Sequence, residues 1–405
     1  MRYLGLLIGA HLLLTLPALA EERSEVMLDL MARVPTAALV PVPGEAAQVR
    51  FGDQAAARAA MASVPLAADV EARLAPFVRV DSGSMSPSEH RSAESEMAGL
   101  VGFGEDDIEA TLTYGLPPNT TMLLRLDTDA AAQVAPTLLA NGYHEAEQDG
   151  VVALIRGDVD CQQNLATRNP ADPFGGRFGR SSRVVVDETV VTQTCNWPTL
   201  LEALGQRGAY GHPDLAVMGQ VIDQPEWGDV TLLQATTLFH QLDLGPVGSG
   251  GPPPWQVGLM ADLSSATETV TLVMFSYRNR GDAEAAAARI ADGWDQPGTG
   301  SPLDAMVDAA LSGADAIEIA GAAEAPPAAP SLAEITGAAA ETGVAGEGPF
   351  IAWVALRRPA EATQAWPVNP AYSALLQAMF NRQLALLGLR DLALWQAGAR
   401  SQAVL

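Results

Sequence analysis

Met122-Leu123-Leu124-Arg125-Leu126-Asp127, followed by the alanine-rich stretch Asp129 to Asn141 and then Gly142-Tyr143, is the segment whose reading decides the fold. A short apolar run meets an aspartate suited to cap a helix, and the helix ends where glycine takes a left-handed C′ position and an aromatic returns to the core. Leu272 to Tyr277 into Asp282 to Asp292 and Gly293-Trp294 repeats the pattern; Val49 to Asp53 into Gln54 to Ser63 repeats its first half. In all three the aspartate is the expected N-cap. Pro136 inside the second helix predicts a kink or a split.

Working outward, Val151 to Arg156, Arg183 to Asp187 and Thr189 to Thr194 read as hairpin strands, and Thr199 to Gln206 and Pro213 to Ile222 as helices. Strands are expected again near 230–239, 257–263, 269–277 and 350–356, and a last helix from Asn369-Pro370. The fold class expected is α+β: antiparallel sheets with helices on one face, repeated ferredoxin-like strand–helix–strand units, and two modules. A chain of 405 residues exceeds what one core usually fills, so the modules are placed at 21–225 and 226–405. Flexible segments are expected at 245–254 and 322–348, where Gly, Pro and Ala dominate.

Composition excludes whole classes of chemistry. The formal charge is −25, from 48 acidic and 23 basic residues, and every basic residue is arginine. Without lysine there is no Walker A loop, no pyridoxal Schiff base, no kinase strand lysine and no Ser-x-x-Lys pair. The acidic balance also argues against nucleic acid and anionic membrane surfaces as partners. Residues 1–20 read as a secretory signal peptide: Arg2, an apolar run from Leu4 to Leu16, and Ala18-Leu19-Ala20 before Glu21. The expected location is periplasmic or secreted, without membrane insertion after cleavage. Two cysteines in an exported chain, Cys161 and Cys195, predict one disulfide.

The succession Phe103-Gly104-Glu105-Asp106-Asp107-Ile108, Gly115-Leu116-Pro117-Pro118, Met122 to Asp127, Gly142-Tyr143 and a following Gly150 strand resembles exported bacterial proteins and lipoproteins of unassigned function, over about residues 25–225. The resemblance implies an α+β scaffold and carries no site residue across. This chain departs from the lipoproteins in lacking a lipobox cysteine.

Two functional readings follow. Between the cysteines, Arg168, Arg177, Arg180 and Arg183 oppose only Asp172, with Phe174 and Phe178 beside them. Guanidinium groups favour planar anions, so this stretch is the candidate surface for an anionic ligand or envelope protein, in a non-enzymatic binding, sensing or envelope-interaction protein. The bland reading is that these arginines neutralise the protein's own carboxylates. The second functional reading is a hydrolase using Asp81, Ser84 and His90, which hold the residue types of a nucleophilic triad in one serine-rich loop. No Gly-x-Ser-x-Gly elbow frames Ser84. His144 beside Glu145 and Glu147 faces the opposite way on a strand, and His212 reads as the residue leading into a helix. No metal or cofactor is implied.

Overall fold

The computed structural model describes residues 22–35, 47–62, 79–80, 94–115, 119–205, 212–239, 253, 255–265, 267–295, 331, 333–334, 338–360 and 369–380. The signal peptide, the segment 245–252 and Asp81, Ser84 and His90 lie outside the described residues.

Asp127 caps helix α4 (Thr128–Ala140) by accepting from the Ala130 amide at 2.9 Å, and Asp53 does the same for α2 (Gln54–Met61) from Ala56 at 2.7 Å. Each satisfies one of the orphan donors of a first turn. In the third unit the cap is Asn279, which accepts from Asp282 N–H at 2.8 Å, so helix α7 (Arg280–Gly293) begins before the aspartate expected to cap it. Gly142 has φ +88° and Tyr143 N–H returns to Leu138 O, as the sequence predicts. Gly293, by contrast, is the last helical residue, and Trp294 follows it buried, donating its indole N–H to Ala338 O at 3.0 Å. Helix α4 runs unbroken through Pro136. Pro136 and Ala132, whose carbonyl would have received the missing N–H, are both on the exposed side of the helix.

Among the described residues the strands form one antiparallel 12-stranded sheet, where separate sheets were expected. They are β1 (Ala47–Asp53), β2 (Ile108–Tyr114), β3 (Thr121–Leu126), β4 (His144–Gln148), β5 (Val151–Arg156), β6 (Ser182–Asp187), β7 (Val190–Thr194), β8 (Thr231–Phe239), β9 (Val257–Ser264), β10 (Glu268–Tyr277), β11 (Ala340–Ala345) and β12 (Phe350–Pro359). Their order is β11-β12-β10-β9-β8-β1-β2-β3-β7-β6-β5-β4. β11 falls within 322–348, so that stretch includes an edge strand.

The two halves of the sheet share a plan. β9 and β10 pair, α7 crosses over β12, and β11 returns parallel to β10. In the other half β2 and β3 pair, α4 crosses over, and β4 returns parallel to β3, with the β6–β7 hairpin inserted between β3 and β5. The halves meet where β1 pairs antiparallel with β8.

Helices cover both faces of the sheet, which corrects the expectation of one. Leu123 and Leu124, adjacent on β3, belong to different cores. The first face packs on α1 (Glu25–Met31), α6 (Pro213–Ile222) and, at the β5 end, α5 (Trp197–Gly205). The second packs on α2, α3 (Glu94–Val101), α4, α7 and α8 (Pro370–Phe380). Strands in the middle of so wide a sheet must bury both sides, so alternation alone does not assign helices to one.

Candidate functional site

The arginine-rich stretch leaves the sheet at Arg156 and re-enters at Ser182, two residues paired across β5 and β6. Its two arms lie side by side: Asn164 N–H donates to Gly179 O at 2.9 Å, Asn169 N–H to Gly176 O at 2.9 Å, and Ser181 N–H to Gln162 O at 2.8 Å. Gly179 sits at φ +57°, and a Cβ there would come within 1.9 Å of the Asn164 carbonyl, so only glycine lets the arms close. At the base Cys161 and Cys195 form the predicted disulfide, with Cα atoms 4.7 Å apart.

The candidate residues divide by what they touch. Arg183 is fully buried and internal: its guanidinium is 3.0 Å from Asp160 Oδ1 and donates to Gly157 O at 2.9 Å and Asp158 O at 3.3 Å. Burial lowers its pKa against the pull of Asp160 and Asp158. Arg183 therefore braces the loop and is not part of its surface. Phe174 is likewise buried, its ring centroid 5.9 Å from that of Phe103, and it cannot stack on an incoming ligand. Arg156 is the second brace. It pairs with Asp172, donates to Phe174 O at 3.1 Å and lies 5.0 Å above the Tyr143 ring. Burial opposes its charge, yet Tyr143 and Asp172 raise its pKa above the ordinary guanidinium value.

The tip points the other way. Leu165 is 69% exposed and Phe178 45%. Arg168 is exposed and makes no side-chain hydrogen bond or ion pair among the described residues. Arg180 is half-buried with its guanidinium 5.5 Å from the Phe178 ring centroid. Arg177 is in the short turn Gly176–Phe178, and its side chain lies outside the described set. Of five large hydrophobic residues exposed among the described residues, Val159, Leu165 and Phe178 are on this one loop, so apolar and cationic surface coincide there.

The triad types also meet elsewhere. His212, the N-cap residue of α6, holds Nδ1 2.9 Å from Asp214 Oδ2. Burial would raise the Asp214 pKa, but hydrogen bonds to His212 and Ser276 hold it below the ordinary value.

A second site was missed by sequence reasoning. Thr111, Gly52, Gln234, Asp262 and Thr271 are register partners across β2, β1, β8, β9 and β10. The next row, on the opposite face, is Leu112, Phe51, Ala235, Ala261, Leu272 and Ala355, all within one apolar core. Asp262 is fully buried. It pairs with both terminal nitrogens of Arg79 and accepts from Gln234 at 2.9 Å and Asn369 at 2.8 Å. Arg79 also donates to Ser264 Oγ at 2.5 Å. The Oγ1 atoms of Thr269 and Thr271 are buried without a hydrogen-bond partner among the described residues. No one strand carries more than a residue or two of this row, so only the register reveals it.

No family model matches the chain, and no curated protein matches it. Among solved structures it is similar to TP0453, in several crystal forms. Form I gives 8% identity and a TM-score of 0.32, covering 84% of this chain and 97% of that one. Form III gives 6% and 0.33, covering 85% and 97%. So loose a likeness carries no functional argument. Among the described residues, no helix is long and apolar enough to cross a membrane.

Proposed function

We propose that the protein is an exported, non-enzymatic binding or envelope-interaction protein that docks an anionic partner through the tip of its disulfide-closed loop. The observation that carries the reading is the division of labour within that loop. Arg156, Asp172, Phe174 and Arg183 are spent on internal contacts, while Leu165 and Arg168 are exposed and Phe178, beside Arg180, keeps 45% of its surface exposed, on a frame fixed by hydrogen bonds and a disulfide. A rigid frame loses little entropy when it binds, and mixed aromatic and guanidinium groups suit partner recognition. The disulfide supports a periplasmic or secreted location. The shared plan of the two halves supports reading them as two modules of ferredoxin-like strand–helix–strand units, joined through β1 and β8.

Immobilised poly-L-glutamate is the probe. A chain of charge −25 has no general affinity for a polyanion. Retention that is lost in R168Q/R177Q/R180Q, with unchanged urea stability, supports the proposal; equal retention of the variant, or none by the wild type, refutes it.

A further inference from the structure

The polar row on β8, β9 and β10 is unexplained by the loop and independent of it. A buried carboxylate–guanidinium pair adds little stability over well-packed apolar residues. The same strands show that apolar packing is available, because the row on the opposite face is apolar throughout. The polar row is nevertheless built with care. Gln234 and Asn369 occupy lone pairs of Asp262 from two directions and fix the carboxylate plane for two-point pairing with a guanidinium. Ser264 adds an acceptor for the same group. One strand over, Thr271 and Thr269, the register partners of Asp262 and Ser264, bring buried hydroxyls that no described group uses.

The guanidinium now in this cradle comes from the chain itself. Arg79 is followed by Val80, which among the described residues packs in a small cluster with Ala57 and Leu233 beside Ala56 and Ala60. The large cores do not include it. We propose that the Asp262 row is a recognition site for a guanidinium group, and that Arg79 occupies it in cis until a ligand of the same chemistry displaces it. The protein's net negative charge draws such cations toward it. Free alkylguanidines and an arginine side chain of a peptide share the chemistry, and the unused threonine hydroxyls are available to polar atoms beyond the guanidinium.

The test uses the full chain, with agmatine and acetyl-Gly-Arg-Gly-amide as probes in titration calorimetry and acetyl-Gly-citrulline-Gly-amide, whose ureido group has the guanidinium's shape without its charge, as control. Tethered Arg79 competes at high effective concentration, so R79A binds at least tenfold tighter than wild type, and R79A/D262N does not bind. Tighter binding of agmatine identifies a free small molecule as the natural source, and tighter binding of the peptide an arginine side chain. If R79A fails to fold, wild-type hydrogen exchange decides: either probe at saturating concentration speeds exchange at residues 79–80. No saturable binding by folded R79A, binding that survives in R79A/D262N, or an unmoved exchange rate at 79–80 in the wild type makes Arg79 a permanent structural partner and overturns the proposal.

Discussion

Replacing Arg183 by methionine separates the bracing arginines from the presenting ones. The change removes a fully buried guanidinium that serves Asp160 Oδ1 at 3.0 Å, Gly157 O at 2.9 Å and Asp158 O at 3.3 Å, and keeps most of the buried stem. Truncating one member of a fully buried pair costs about 3–5 kcal/mol. Asp160 is 41% exposed, so water rehydrates its carboxylate and most of that penalty is relieved. The carbonyls of Gly157, Asp158 and Ser182 lose a charged donor, but water reaches the exposed Gly157 and Asp158, so about 2 kcal/mol of that loss remains, and methionine restores part of the packing. The sum is a loss of roughly 2–3 kcal/mol, read as a lower urea midpoint at unchanged m-value. Arg168→Gln, on the exposed tip, is expected within about 0.5 kcal/mol of wild type. R183M within that same margin, or R168Q as damaging as R183M, would refute the division between frame and tip.

Burial pushes the Asp53 carboxyl from the ordinary 3.8 up to about 6, despite its bond from Ala56 and the charges of Arg58 and Arg125. The folded state thus holds this proton more tightly than the unfolded chain. The stabilisation is complete below about pH 4 and is lost as pH rises through 6. Asp53→Asn keeps the cap acceptor and does not titrate, so relative to it the wild type should lose up to about 3 kcal/mol between pH 4 and 7, measured by urea unfolding across that range. Cys161→Ser with Cys195→Ser should cost up to about 4 kcal/mol and speed hydrogen exchange at Asn164 and Asn169, whose amides join the loop arms. Gly179→Ala should cost more than about 1 kcal/mol and weaken retention on poly-L-glutamate, because the arms cannot close around a Cβ.

Local chemistry was legible in the sequence wherever neighbours in the chain decide the outcome. Asp127 and Asp53 cap their helices and Gly142 turns out of α4, since each acts within one turn. The third unit misled because Asn279 and Asp282 are both competent caps three residues apart, and the earlier one wins. Pro136 misled for a different reason, since the carbonyl it leaves unpaired belongs to an exposed residue. Long-range pairing was not legible. Nothing local to 47–53 announces that β1 joins β8, and that pairing turns two expected sheets into one. The arginine cluster was visible as composition, but its division was not: Arg183 is buried and Arg168 exposed, set by where each side chain falls relative to Gly157, Asp158 and Asp160. Nothing in the sequence around Asp262 marks it out, because its partners Arg79, Gln234 and Asn369 come from three distant parts of the chain.

The salt dependence of wild-type binding to poly-L-glutamate, followed from 50 to 500 mM sodium chloride alongside R168Q/R177Q/R180Q, decides whether guanidinium groups at the loop tip carry the binding. Exposed guanidinium contacts are screened over roughly 10 Å at 0.1 M salt and less as salt rises. Wild-type affinity is expected to fall at least tenfold across this range, and the variant to show little affinity and a flat profile. A wild-type affinity indifferent to salt, or a variant that retains the wild-type slope, would contradict it.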